Sequence, residues 1–331
     1  MLADIQKWNR GMMVIYCVGI DLGGTTIKAG IVDEDYRIVK SGAVPTVTDR
    51  GAQGLVGDMK ELVSSLLEET GISMEEIASV GLGVPGTANK KTGVMEYANN
   101  LNMKDEPLIP LLKRYFKKPV SFTNDANAAA WGEYLAGCGK GYASMVMVTL
   151  GTGIGGGMIL DGKLYEGCNF AAGEFGHFVI QYDGEICNCG RRGCFETYAS
   201  ATGLRRMALK AMKEEEGRRS LLWSLCGQDE DKVDGQKIFE AARRGDLTAE
   251  SVVERYLYYL SVGITDIINI FQPEVLCIGG GVSRAKDQLL EPLKRLVDQQ
   301  VYTRDSAVKT EIVIASLGND AGIIGAAMLD D

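Results

Sequence analysis

Four side chains of the types that bind transition metals occur close together in the middle of the chain. They form the pattern H-x9-C-x-C-x4-C, and the histidine is the only one among 331 residues. Thiolate and imidazole groups at this spacing, on glycine-rich connections, suit the tetrahedral coordination of Zn²⁺. Because four protein ligands leave no position open for a catalytic water, we expect a structural zinc site. The predicted ligands are His177, Cys187, Cys189 and Cys194.

A redox pair is the alternative interpretation of these cysteines, although Cys-x-Cys differs from the Cys-x-x-Cys of thioredoxin-like sites. Two acidic residues flank the cluster: Glu174 precedes the histidine by three residues, and Glu196 follows the last cysteine by two. A bound metal would hold both carboxylates and the second imidazole nitrogen toward one pocket, where they could bind sugar hydroxyls. The alternative is that both acids are solvated surface residues, as Glu usually is.

Two glycine-rich turns between predicted strands have the composition of phosphate-binding loops. Glycines let backbone N–H groups approach phosphate oxygens, and threonines add hydroxyl donors. The first turn spans residues 21–26, where an aspartate could hold Mg²⁺ through water, and the second spans residues 151–157. Taken alone, either turn could be an ordinary hairpin turn. A third glycine-rich segment, residues 279–281, could be a tight turn between a strand and a helix. The candidate nucleotide-binding residues are Asp21, Gly23, Gly24, Thr25, Thr26, Gly151, Thr152, Gly153, Gly280 and Gly281.

The second turn also matches the dinucleotide-binding pattern G-x-G-x-x-G. That fold requires a helix to begin at the loop. Here residues 158–165 resemble the second half of a hairpin instead, so we reject a dehydrogenase. The chain also lacks the G-x-x-x-x-G-K-[ST] pattern of a P-loop.

A further polar pair, Asn124-Asp125, follows a short predicted strand and precedes an alanine-rich helix predicted over residues 126–135. Either residue could simply cap the helix. The functional alternative is that the Asp125 carboxylate accepts a proton from an attacking hydroxyl.

Predicted strands alternate with predicted helices along the chain, which indicates the α/β class. Further helices are predicted over 52–69, 199–215 and 248–271, and a hinge over 137–142.

The net charge of −9 argues against a nucleic-acid partner. We find no membrane span and no signal peptide, so we expect a cytoplasmic protein with no membrane partner.

The motifs resemble those of the ROK family, within the hexokinase–actin ATPase group. Segments 21–28 and 150–157 are similar to its two phosphate motifs, and 124–133 is similar to its catalytic segment. Segment 174–177 together with 187–196 is similar to its zinc signature, which is highly specific. The resemblance covers residues 14–327, nearly the whole chain.

The resemblance implies a two-domain ribonuclease H-like fold with an interdomain cleft. It implies a smaller domain from residues 13–122 plus 318–331, and a larger one from 123–317. The implied activity is ATP- and Mg²⁺-dependent phosphorylation of a hexose at its 6-hydroxyl, above all glucose, by a homodimer. Asp125 would be the catalytic base. The sugar would be held by Asn100, Asn124, Asp125, Glu174, His177 and Glu196.

Other family members leave alternatives open. The sugar could be N-acetylmannosamine, N-acetylglucosamine, mannose or fructose, and the protein could be a non-catalytic sugar sensor. Repressors of the family carry an N-terminal winged helix, whereas only about a dozen residues precede the first phosphate strand here. We therefore expect a kinase rather than a DNA-binding protein.

Overall fold

The computed structural model describes residues 15–98 and 101–329. Its contacts divide the chain into two compact units. The first unit takes in the described parts of Met1–Ala136, Gly167–Ala171 and Asn319–Asp331. The second comprises Gly137–Glu166 and Ala172–Gly318, so the chain enters it at the predicted hinge.

The first unit is built on a five-stranded sheet of order β3-β2-β1-β4-β8. Strands β1, β2 and β3 pair antiparallel, whereas β4 pairs parallel with both β1 and β8. Val18, Ile20 and Leu22 of β1 are fully buried, as expected for a central strand. The strands are β1 (Tyr16–Leu22), β2 (Thr26–Val32), β3 (Ile38–Pro45), β4 (Ile77–Val84) and β8 (Val120–Asn124). A separate antiparallel sheet contains β5 (Thr87–Asn89), β6 (Val94–Ala98) and β7 (Met103–Glu106).

Four α-helices complete the described part of the first unit. The longest, α1, buries one apolar face and is capped by Gly71, whose φ of 71° is the left-handed value that glycine favours. The α-helices are α1 (Gly51–Thr70), α2 (Leu108–Phe116), α3 (Asp125–Ala136) and α10 (Ala321–Ala327).

Helix α10 packs against α3 at backbone contact. A Cβ atom added at Gly325 would lie 1.7 Å from the Ala128 carbonyl oxygen, and one added at Gly132 would lie 2.1 Å from the Ala321 oxygen. Because only glycine permits this approach, α3 and α10 form one packing unit. The contacts therefore group residues 123–136 with the first unit, whereas the sequence analysis assigns them to the second domain.

The second unit repeats the strand arrangement of the first. Its sheet has the order β11-β10-β9-β12-β13. Strands β9 and β10 form an antiparallel hairpin, and β12 pairs parallel with β9 and β13. The predicted duplication of strand, glycine-rich turn and strand is thus confirmed. The strands are β9 (Met145–Leu150), β10 (Ile154–Leu160), β11 (Lys163–Leu164), β12 (Val275–Gly279) and β13 (Glu311–Ile314).

Helices cover the core of the second unit. The longest, α8, buries Tyr256 completely, and the Tyr256 hydroxyl donates to the Ala199 carbonyl oxygen at 2.8 Å. The helix predicted over 199–215 is confirmed, with bounds two residues shorter at each end: it begins after Ser200, whose hydroxyl caps it by accepting the Gly203 N–H, and a separate short helix precedes it. The helices are α4 (Phe195–Ala199), α5 (Ala201–Lys213), α6 (Leu221–Leu225), α7 (Gly235–Arg243), α8 (Leu247–Phe271) and α9 (Asp287–Gln300).

Within residues 15–98 and 101–329, no helix has both the length and the apolar character that crossing a bilayer requires.

Candidate functional site

The first glycine-rich turn joins β1 to β2 and is shorter than predicted, since β1 extends through Leu22 and β2 begins at Thr26. The Gly23 N–H donates to the Thr26 carbonyl oxygen at 3.0 Å, and the Thr46 hydroxyl donates to the Gly23 carbonyl oxygen at 2.8 Å. These bonds fix the turn and leave Gly24 and Thr25 exposed to solvent. An exposed, fixed turn of this composition can bind an anion through N–H and hydroxyl donors.

Asp21 lies on β1, just before this turn. Its carboxylate is 3.7 Å from the Lys28 ammonium, and its side chain is 20% exposed. Burial raises the pKa of Asp21, and the neighbouring Lys28 charge partly opposes that rise. Gly322 leaves room for the carboxylate, since a Cβ there would be 3.3 Å from Asp21 Cγ. Asp21 is thus a partly buried carboxyl group beside a turn that can bind anions.

Asn124 and Asp125 lie where β8 passes into α3. The Asn124 side-chain oxygen accepts the N–H groups of Ala126 and Asn127, at 2.9 and 3.3 Å, and its amide donates to the Gly86 carbonyl oxygen at 3.0 Å. Capping is therefore the observed role of Asn124. The half-buried Asp125 carboxylate accepts the Ala126 N–H at 2.8 Å. The positive end of the α3 dipole stabilises this carboxylate at the first helical position.

In the second unit, the four predicted metal ligands converge. Their ligand atoms all lie within 4.8 Å of one another. The Cys189 and Cys194 sulfurs are 3.6 Å apart, and the Cys187 sulfur is 3.7 Å from His177 Nδ1. Ligands about 2.3 Å from a tetrahedral Zn²⁺ are separated by about 3.8 Å, so these spacings fit a zinc ion. Nδ1 is the ring nitrogen that faces the cluster, which leaves Nε2 for another partner.

The loop around these ligands is held by backbone hydrogen bonds. Cys187 N–H donates to the Arg191 carbonyl oxygen at 2.8 Å, and Ile180 N–H donates to the Gly193 carbonyl oxygen at 2.9 Å. Burial, together with hydrogen bonds and charge interactions with the neighbouring thiols, raises the pKa of Cys194 to about 12. Protons would therefore be retained on this thiol unless a cation replaced them. The donor set is the kind that metal binding would stabilise.

Glu174 lies close enough to His177, a predicted metal ligand, and to Glu196 for their charges to affect it. Burial is the main cause of a raised pKa at Glu174, which His177 opposes and the Glu196 carboxylate reinforces. These interactions show that the three side chains share one region of the second unit. The sequence analysis expects that grouping, and hydroxyl binding by these side chains stays a prediction.

Glu196 also contacts the second glycine-rich turn. Its Oε2 accepts the Ile154 N–H at 2.8 Å, and a Cβ added at Gly153 would lie 2.3 Å from the same oxygen. The turn is tied further at Gly151, whose carbonyl oxygen accepts the Ala201 N–H at 2.8 Å. This link was not predicted, and its only sign in the sequence is the position of Glu196 two residues after the last cysteine.

The second turn is also shorter than the predicted 151–157. Residues from Ile154 onward pair with β9 as strand β10, because Ile154 lies opposite Leu150. Strand β10 then pairs antiparallel with β11, which confirms the hairpin and excludes the helix of a dinucleotide fold at this loop.

Two glycines of the segment 279–281 have different surroundings. Gly280 has a φ of 84°, and a Cβ there would lie 2.5 Å from the Leu150 carbonyl oxygen, so it is a close-packing glycine next to the second turn. Gly281 has no atom within 4 Å of an added Cβ and can accept a ligand. Asn100, a predicted sugar contact, lies outside the described residues.

Known proteins resemble this chain along nearly its whole length. The ROK family matches residues 17–331. The glucokinase of Halalkalibacterium halodurans is 39% identical over 314 residues, which is 94% of each chain. A solved ROK family glucokinase from Streptomyces griseus, in complex with glucose and AMPPNP, has a TM-score of 0.81 and 35% identity, covering 94% of this chain and 98% of its own. The xylose repressor of Bacillus subtilis is 28% identical over 94% of this chain and 75% of the repressor.

Proposed function

Because the chain belongs to the ROK family, we propose that it transfers the γ-phosphoryl group of ATP to the 6-hydroxyl of a hexose, above all glucose. The observation that carries this proposal is the similarity to glucokinases over 94% of the chain. The anion-binding turns and the acids beside the metal cluster supply the chemical groups that such a reaction needs.

Asp125 is the proposed base. The 6-hydroxyl oxygen attacks the γ-phosphorus, its proton passes to the Asp125 carboxylate, and ADP leaves with the electrons of the broken P–O bond. The position of Asp125 at the start of α3 supports this role, because the hydrogen bond from the Ala126 N–H orients the carboxylate and the helix dipole favours negative charge there.

The two glycine-rich turns are the proposed phosphate contacts, through Gly23, Gly24, Thr25 and Thr26 and through Gly151, Thr152 and Gly153. Backbone N–H groups aimed at the phosphate oxygens stabilise the charge that develops during transfer. Mg²⁺ bound with ATP would neutralise phosphate charge, and the Asp21 carboxylate would hold its water ligands. Gly281, with open space beside it, is a proposed contact for the nucleoside, and Gly280 shapes the adjoining turn.

The proposed sugar contacts are Asn100, Asn124, Glu174, His177 and Glu196, in addition to the base. Carboxylates accept hydrogen bonds from hydroxyls, and the imidazole nitrogen that faces away from the cysteines is suited to the same task. Zn²⁺ would be held by His177, Cys187, Cys189 and Cys194, where it would fix the loop that carries these groups. The 3.6 and 3.7 Å spacings of the donor atoms support zinc.

The identity of the sugar can be tested directly. A coupled ADP-release assay with glucose, mannose, fructose, N-acetylglucosamine and N-acetylmannosamine should give the highest kcat/KM with glucose. If another sugar gives the highest kcat/KM, the proposed substrate is wrong but the proposed phosphoryl transfer stands. Sugar binding in calorimetry with no ADP release for any sugar would establish the second candidate, a sugar sensor, which the similarity to the xylose repressor favours.

The mechanism has a separate test. Asp125→Asn should lower kcat by about 10²–10⁴, the usual contribution of a general base, while calorimetric glucose binding persists. Asp161→Asn is the matched control, because Asp161 is exposed in a turn with a φ of 51°, a value that asparagine also adopts. Near-normal turnover by Asp125→Asn would overturn the proposed base.

We also propose a homodimer in the cytoplasm, with neither nucleic acid nor membrane as a partner. The acidic net charge of −9 supports the expectation about nucleic acid. The sequence suggests domains of residues 13–122 plus 318–331 and residues 123–317; the packing of α3 on α10 instead groups residues 123–136 with the first domain, so we propose a boundary after Ala136.

A further inference from the structure

Two cysteines far apart in the sequence lie side by side in the second unit. The sulfur atoms of Cys138 and Cys277 are 2.8 Å apart. A disulfide bond is about 2.05 Å long, so a shift of less than about 1 Å would bring the sulfurs to bonding distance. Neither residue belongs to the predicted zinc site, and neither has a role in the proposed phosphoryl transfer.

The two thiols differ in their surroundings. Cys277 lies in β12, opposite Met147 of β9 and Val313 of β13, and is fully buried. Cys138 is half-buried and lies in the segment 137–144, where the chain enters the second unit. Cys138 is therefore the thiol that a small oxidant reaches first.

Hydrogen bonds hold the segment 137–144 against the end of the sheet. The Tyr142 hydroxyl donates to Glu311 Oε2 at 2.6 Å. Ala143 N–H donates to Glu274 Oε2 at 2.5 Å, and Glu274 N–H donates to the Ser144 hydroxyl oxygen at 3.0 Å. Because the backbones near both cysteines are fixed, the approach of the two sulfurs is built into the fold.

We propose that Cys138 and Cys277 are a thiol pair that closes reversibly to a disulfide by exchange with a small-molecule disulfide. The Cys138 thiolate attacks one sulfur of the small disulfide and expels its first thiolate, which leaves a mixed disulfide. The Cys277 thiolate then attacks the Cys138 sulfur and expels the second. The two cysteines lose two protons and two electrons, and the small disulfide is reduced to two thiols.

Closure would fasten the segment 137–144 to β12, an interior strand of the second unit's sheet. The same stretch of chain continues from α3, which begins at Asp125 and ends at Ala136, two residues before Cys138. The bond would thus add a covalent link to a set of hydrogen bonds that can open locally. Backbone amides of 137–144 should then open less often.

The test uses the full chain, purified with Zn²⁺ present and incubated with glutathione disulfide. Digestion without reductant, followed by mass spectrometry, should yield a peptide linking Cys138 to Cys277 at least tenfold more abundantly than any other cysteine pair. Dithiothreitol should remove it. The linked peptide should persist in Cys168→Ser, which changes an exposed cysteine outside the pair, and should be absent from Cys138→Ser.

Hydrogen exchange provides a second measurement. Oxidation of the unsubstituted protein should slow exchange of 137–144 several-fold, and the same treatment of Cys138→Ser should leave the rate unchanged. Glutathione attached to Cys138 without any peptide linked to Cys277 would overturn the proposal. Oxidation that forms the link but leaves exchange unchanged would overturn the inferred fastening of the segment.

Discussion

Gly153→Ala is the substitution that best separates the chemistry of the second unit from its stability. A Cβ at this position would lie 2.3 Å from Glu196 Oε2, the oxygen that accepts the Ile154 N–H at 2.8 Å. The Glu196 oxygen that the new Cβ would overlap is the end of a flexible side chain, so this side chain can rotate away at small steric cost. The methyl group should therefore displace the carboxylate and leave the β9–β10 hairpin intact.

The expected magnitude follows from the lost contact. A hydrogen bond to a charged group contributes about 1.5–3 kcal/mol. Each 1.36 kcal/mol corresponds to a tenfold change in rate, so loss of this interaction should lower kcat/KM for the sugar by about 10- to 100-fold. Because the structural loss is confined to this one hydrogen bond, we expect the melting temperature to change by no more than a few degrees.

The assay measures steady-state ADP release over a range of glucose concentrations, together with thermal unfolding. Gly57→Ala is the matched control, because an added Cβ at Gly57, in the middle of α1, has no atom within 4 Å. The control should keep full activity. If Gly153→Ala keeps kcat/KM within twofold of the parent, the Glu196 carboxylate is not a group on which turnover depends.

Three further predictions concern the metal, a buried acid and a helix contact. Cys187→Ser should release zinc, measured by elemental analysis, and should raise the glucose KM at least tenfold; full zinc content would contradict the ligand assignment. Asp21→Asn should abolish turnover yet raise the melting temperature at neutral pH. Burial raises the folded-state pKa of Asp21, so its charge destabilises the fold above that pKa; the gain should vanish below about pH 4, where the carboxyl is protonated in both states. Gly325→Ala should destabilise the fold by about 1–3 kcal/mol in denaturant unfolding, because its Cβ would overlap the Ala128 carbonyl oxygen; an unchanged midpoint would contradict that contact.

Local patterns predicted much of the fold. The apolar stripe of α1 and the length of α8 follow from helical periodicity, which is a property of neighbouring residues. The start of α5 was placed two residues early, because a hydroxyl that caps a helix is hard to distinguish from one inside it until the backbone is seen. Packing of α3 on α10 joins segments almost 200 residues apart, and no local pattern encodes such a contact.

The candidate site was predicted where its residues are close in sequence. The four predicted metal ligands all lie within residues 177–194. Their spacing alone indicated a cluster, and the structure brings their ligand atoms together. The bond from Glu196 to Ile154 joins residues 42 positions apart through a backbone N–H, a donor that every non-proline residue carries. Sequence therefore gives no chemical sign of which amide a carboxylate will select.

The bond between Glu196 and Ile154 also couples the two proposed binding regions of the second unit. A ligand that draws the carboxylate away from the Ile154 N–H changes the free energy of the turn at 151–153, and a ligand that tightens the turn changes the affinity at the carboxylate by the same factor. Sugar and nucleotide should thus alter each other's dissociation constants in equal proportion, so that the order in which they bind has no effect on the total binding free energy.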